Sequence, residues 1–528
     1  MLAASVVLAR PASAHGLAER YNLPVPLWLY LAGAAAAVTV SFLGLALLMR
    51  ETPDVRAYPR VDLLRWRVGR ALAHPGVRGA CRVLSVALFT LILAAGLAGT
   101  QSPFKNIAPV MVWVIGWVGV SLASPLLGDL WALINPWSIL FAWAEALYAR
   151  LRPGCRFGPL SAWPRWLGVW PAVTLFLVFA WMELVWAGRD RPRSLAAAIL
   201  VYSVVTWGGM LVFGRDPWLR GGEAFSVVFG LLARFAPTEV RLTSRAACRA
   251  CQAESCREPA NDCVNCYACY ARATAEDRQW NLRPPAVGLL SRRPVDVATM
   301  ALVLLMLCTV TFDGFIETPL WAGILASVAS PPALQSSPGA PAGVARGVVA
   351  TLALVASPLL FLGVYGLFAR LMVLATGAGR WRRPRAPRPA SDATLTANHV
   401  ARRFVLTLLP IAIAYHVAHY LPFLLLAGQL VIPLASDPFW AGWDLLGTSL
   451  YRIDVVIVDA RFIWYTAVTA IVIGHVLAVY LAHVTAGRVF GNARRAVRSQ
   501  FPMALLMVGY TMLSLWILAQ PVVETRVR

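Results

Sequence analysis

Apolar runs of about 20 residues recur along the whole of this chain, broken by short polar stretches in which arginine is the commonest charge. Wound as a helix, such a run rises about 30 Å, the thickness of a bilayer's hydrocarbon core. The runs fall near Val25–Met49, Val83–Gly99, Ala108–Gly128, Gly168–Ala187, Leu195–Gly214, Val297–Phe315, Val348–Phe368, Phe404–Leu430, Ile463–Ala486 and Met503–Gln520. A helix satisfies its own backbone hydrogen bonds, so it is the form these runs take in lipid. The pattern predicts an all-α, polytopic membrane protein of about ten transmembrane helices. Two shorter stretches break it. Asp129–Arg150 is aromatic-rich and reads as an interfacial helix broken at Pro136. Gly221–Pro237 reads as an amphipathic helix at the cytoplasmic surface. Ser327–Gly343 has the composition of a loop, and Trp381–Pro389 that of an extended Pro/Arg linker on anionic headgroups.

Composition agrees and charge adds a direction. The 528 residues are 59% hydrophobic and 14% charged, where soluble domains carry about 25% charged residues. A net charge of +22 would suit nucleic acid. The arginines, however, sit in short loops between apolar runs, as the positive-inside rule requires, and no phosphate-binding patch is visible. The expected partner is the lipid bilayer, with no nucleic acid. Arginines crowd the stretch from Arg50 to Arg82, which places it inside and the N-terminus outside. Those from Arg380 to Arg403 and from Arg488 to Arg498 agree; Arg189, Arg191 and Arg193 on an outer turn dissent. Residues 1–14 read as a short signal peptide ending at Ala12-Ser13-Ala14. The expected organisation is membrane helices one to five with interfacial helices over 15–240, a cytoplasmic Cys-rich insert over 241–283, and helices six to ten over 284–528.

Six of the nine cysteines fall in that insert, at Cys248, Cys251, Cys256, Cys263, Cys266 and Cys269. Paired CxxC spacing lets two thiolates reach one tetrahedral ion from a tight turn. Cys248/Cys251 with Cys263/Cys266 would hold a structural zinc and leave Cys256 and Cys269 over. The run Cys263-x2-Cys266-x2-Cys269 also resembles the opening of an iron–sulfur motif, although Tyr270 stands where the closing Cys-Pro would begin. Disulfides lose weight in a cytoplasmic segment, where thiols stay reduced.

Ionisable residues inside the apolar runs mark function by default. Ile411–Tyr420 places His416 and His419 one helical turn apart, and the next run carries His475 and His483. At 1.5 Å per residue, His416, His419 and His475 lie at matching depth, about 18–23 Å into their runs. Three imidazoles could bind a zinc with one position open for water. Two could hold a haem, and each could simply hydrogen-bond a neighbouring helix. His483 lies nearer the cytoplasm and suits a second site or a proton path. Glu183 and Asp313, toward the outer ends of their runs, are candidate catalytic groups: a ligand, a partner that orients a histidine, or a general base. Asp129 and Glu223, at the cytoplasmic level, orient the interfacial helices in this reading. Asp437 and Asp444 lie in an aromatic-rich outer mouth.

Several segments, HGLAERYNLPVPLWLY, INPW, EAFSVVFGLLARFAP, NLRPPAVGL, TFDG and HVAHYLPFLLLAGQ, are similar to those of a bacterial multi-pass membrane family of fenitrothion hydrolases. The resemblance covers most of the chain and assigns no catalytic residue. It implies hydrolysis of an apolar, uncharged organophosphorus triester that partitions into the bilayer, with release of a nitrophenol.

Overall fold

The computed structural model describes residues 24–49, 58–155, 157–244, 246–248, 251, 263–291, 293–329, 342–377 and 395–520. The expected signal peptide, Cys256 and the expected Trp381–Pro389 linker lie outside them. Among the described residues, ten helices are long and apolar enough to cross a membrane, one for each predicted run. They are span 1, Leu27–Leu48; span 2, Pro75–Ala98; span 3, Ile107–Leu127; span 4, Arg165–Leu184; span 5, Pro192–Phe213; span 6, Val297–Ile316; span 7, Val344–Ala375; span 8, Ala397–Ser436; span 9, Ala460–Phe490; and span 10, Ala493–Ala519. The protein is a helical membrane protein.

The spans divide by burial. Span 6 is enclosed, with an unbroken buried stretch from Leu302 to Gly314. Span 7 turns large apolar side chains outward, among them Val348, Leu352, Leu359 and Leu360, the surface that lipid covers. Spans 8 and 9 approach backbone to backbone. A Cβ on Gly474 would stand 2.4 Å from the Ala414 Cβ and 2.8 Å from the Pro410 carbonyl oxygen. Small residues permit that approach, and dispersion between closely spaced backbones holds the pair where lipid offers no hydrophobic drive. Span 3 is wound as a π-helix from Val110 to Gly119, a wide turn that is rare and concentrated at functional sites.

The stretch around Pro136 forms two short helices, Trp131–Ile134 and Pro136–Leu151. Pro136 opens the second, and the Asn135 side chain accepts from the Ser138 N–H at 3.0 Å, a cap that satisfies one orphan donor. The expected amphipathic surface helix is corrected. Ala224–Leu232 is helical but buried, with Ala224, Val228, Phe229 and Leu232 out of contact with solvent. Apart from Ser226, which accepts from Asn135 Nδ2 at 3.2 Å, its side chains are apolar, as suits a core helix.

A three-stranded antiparallel sheet lies at one end of the bundle, in the order β1 (Val61–Asp62), β3 (Arg278–Leu282), β2 (Thr238–Leu242). It ties the stretch between spans 1 and 2 to the cysteine segment, so that segment is anchored well beyond 241–283. At the opposite end, the span 2–3 turn meets the span 8–9 loop through Thr100 N to Phe439 O and Ile107 N to Pro438 O.

Candidate functional site

The intramembrane polar residues assemble between spans 3, 4, 6 and 8. Asp313 is buried in span 6 and accepts two hydrogen bonds on Oδ2, from His419 Nε2–H at 2.9 Å and from the Tyr420 hydroxyl at 2.7 Å. Neighbours one residue apart on span 8 point 100° from each other, and both reach the carboxylate because it lies between them. Glu183, at the end of span 4, interacts electrostatically with Asp313 and with Tyr420. Trp117, in the π-helical stretch, places its indole N–H near Glu183 and Tyr420. Its ring meets His416 edge-on at 5.8 Å.

His416 is the open member of this group. Its Nδ1–H donates to the Ala412 carbonyl at 3.2 Å, which leaves the lone pair on Nε2. That nitrogen is buried and takes no hydrogen bond from the described residues, and the Tyr415 hydroxyl is in the same condition. Buried polar atoms are nearly always paired, so an acceptor, a donor and two carboxylates here form a cradle for a small polar group.

The three-histidine site expected from depth is not formed. Depth was right, because Gly474 meets Ala414 and therefore sets His475 level with His416. Direction was wrong. His416 lies 200° round the helix from Ala414 and faces span 3, whereas His475 turns toward Tyr510 of span 10, with ring centroids 6.1 Å apart. His475 donates Nδ1–H to the Ile471 carbonyl at 2.8 Å. Among the described residues, the groups close enough to share a metal contain cysteines only. His483 is held on both ring nitrogens: Nδ1 faces Gln500 Oε1 at 3.1 Å and Nε2 faces the Met49 carbonyl at 3.3 Å. It ties spans 1, 9 and 10 together.

Two carboxylates organise structure. Glu223 accepts from the Phe225 and Ser226 amides, from Trp131 Nε1 and Asn135 Nδ2, both at 3.1 Å, and from the Tyr202 hydroxyl. Its Asn135 partner is drawn from the INPW segment. Asp437 accepts from the amides of Ala441, Gly442 and Trp443 and so shapes the outer loop. The dissenting arginines have local work. Arg189 donates to the Glu183 carbonyl at 2.6 Å and Arg193 to the Leu97 carbonyl at 3.4 Å, each satisfying the C-terminal end of a span.

The cysteine segment packs its thiols inward. Cys248, Cys251, Cys263, Cys266 and Cys269 are all buried, and none is in a disulfide. Their sulfurs form two groups within 4.8 Å, Cys248/Cys263/Cys269 and Cys251/Cys266/Cys269. Cys263–Cys266 is a tight knuckle in which Asn265 takes φ +53°, a conformation Asn tolerates. The Asn265 amide donates to the Val240 carbonyl at 2.8 Å, and Asn265 Oδ1 accepts from the Val240 amide at 3.0 Å. Cys269 follows in the short helix Tyr267–Arg272. Burial pushes its thiol up, and hydrogen bonds that Cys269 donates to Cys251 and Cys266 add to the effect. Such a donor set fits a metal ion, because coordination removes the protons that burial otherwise holds in place.

Sequence reasoning missed Glu239. It is buried in β2 and accepts from Tyr58, Arg60 Nε and Arg283 Nη1, each at 2.8 Å. The sequence carried no signal for it, because alternation in Thr238–Leu242 groups Glu239 with Arg241 on the polar face. No protein-family model matches this chain, and comparison with curated proteins and with solved structures finds no match.

Proposed function

We propose that the protein is a membrane-embedded hydrolase of apolar, uncharged organophosphorus triesters, working at the His416–Asp313–His419–Tyr420 cluster. The observation that carries this reading is the buried Nε2 lone pair of His416, unpaired beside a carboxylate–imidazole–phenol group. In the proposed step a water oxygen attacks phosphorus and its proton passes to His416 Nε2. The phosphorus–oxygen bond to the nitrophenol breaks, and the aryl oxide leaves. Asp313 holds His419 and Tyr420 in place and stabilises positive charge nearby. The segment resemblance supplies the substrate class. The arginine pattern supports an N-terminus outside and a cytoplasmic cysteine segment, and the segment resemblance supports a bacterial cytoplasmic membrane. That segment serves as a structural zinc site that clamps the sheet.

A second reading, proton-coupled transport, draws on the Glu183–Asp313 pair, since paired carboxylates inside a bundle mark proton paths. Proteoliposomes carrying a trapped pH dye separate the two. The hydrolase reading predicts nitrophenolate release from an aryl organophosphate that falls at least tenfold in Asp313→Asn. Dye acidification by a solute that emerges unchanged, with no nitrophenolate, would support transport instead.

A further inference from the structure

We infer that the cysteine segment holds two metal ions bridged by the thiolate of Cys269; this deepens the zinc reading and rests on it. A single tetrahedral zinc with bonds of about 2.3 Å sets all four sulfurs about 3.8 Å from one another. Cys251 and Cys266 stand 3.9 Å apart, as two ligands of one ion would. One ion would gather its four thiols into a single group. The thiols instead form two groups of three, with Cys269 common to both. Cys248 and Cys263 serve one ion, Cys251 and Cys266 the other. The local chain explains the sharing. Each knuckle contributes its first cysteine to one group and its second to the other. Cys269 then follows Cys266 in the first turn of its helix, fully buried between them.

Charge favours the bridged arrangement. Five thiolates around one divalent ion would bury a net charge of −3, whereas two ions reduce it to −1. Arg220 Nη1 lies 3.8 Å from Cys251 Sγ and meets part of the remainder. An iron–sulfur cluster would bridge its metals by sulfide and would not need a shared cysteine. Three thiolates hold each ion, leaving one tetrahedral position for a further donor.

The test is metal content of the full-length purified protein, followed by cadmium-113 NMR of the cadmium-exchanged form. Two zinc ions per chain are expected, with two cadmium resonances coupled through the shared sulfur. Cys269→Ser is expected to lose the coupling and to fall below one ion per chain, while Cys155→Ser, at an exposed cysteine outside the cluster, retains both. One ion per chain in the wild type, or two uncoupled resonances, overturns the bridge while leaving a zinc site. No zinc, or iron with acid-labile sulfide, overturns the zinc reading as well.

Discussion

His416 and His475 share a tautomer, a backbone partner four residues back and full burial, and differ in what surrounds the second nitrogen. His416 faces Trp117 and the Asp313 group, while His475 faces Tyr510, whose hydroxyl pairs with Thr311. Function follows the surroundings. Asp129, outside the membrane spans, shows how burial tunes a residue. Desolvation raises its carboxyl from the ordinary 3.8 to about 6, against a hydrogen bond from the Ala132 amide and helped by the Glu223 charge. A carboxyl that binds its proton more tightly when folded stabilises the protein below about pH 4, and that contribution is lost as pH rises through 6. Thermal unfolding in detergent between pH 4 and 6 is therefore expected to show a declining component that Asp129→Asn abolishes. An identical slope in the variant would assign it elsewhere.

The helices were the most legible elements. Each apolar run became one span, since the length and hydropathy that define a span are local properties. What surrounds a span is not local. Whether Ala224–Leu232 lies on the surface or in the core depends on Trp117 and Trp131 arriving from distant segments to meet its Phe225 and Phe229, and its sequence alone suggested the surface. The span 8–9 contact has the same character. It rests on Gly474, and Gly474→Ala is expected to cost about 1–3 kcal/mol through overpacking against Ala414 and Pro410. Unfolding by SDS titration measures this, and Ala414→Gly in the same chain should restore part of the loss. A neutral Gly474→Ala would mean that the two helices yield freely at this level.

Across the whole molecule, the membrane class and the spacing of the spans were readable, whereas the site was readable only in part. Asp313, His416 and His419 stood out because charge inside apolar runs is costly. Periodicity gave their depth and left their direction open, which is why a three-histidine site was expected and a cluster closed by Trp117 and Tyr420 was found. The joining of the sheet to the loop before span 2 left no local trace. It depends on Glu239, and Glu239→Ala is expected to destabilise the protein by about 3–5 kcal/mol, because Arg283 is then buried without its partner. Faster proteolysis beside Tyr58 and a lower unfolding midpoint would register it; unchanged values would show that the sheet holds without this ion pair. The central claim concerns which buried histidine works, and one comparison tests it most directly: nitrophenolate release from an aryl organophosphate by His416→Ala and His475→Ala proteins in proteoliposomes. The account predicts a loss of about 10²–10⁴-fold for His416→Ala and near wild-type turnover for His475→Ala. Equal loss in both would restore a site shared by the two histidines, and undiminished turnover in His416→Ala would contradict the account.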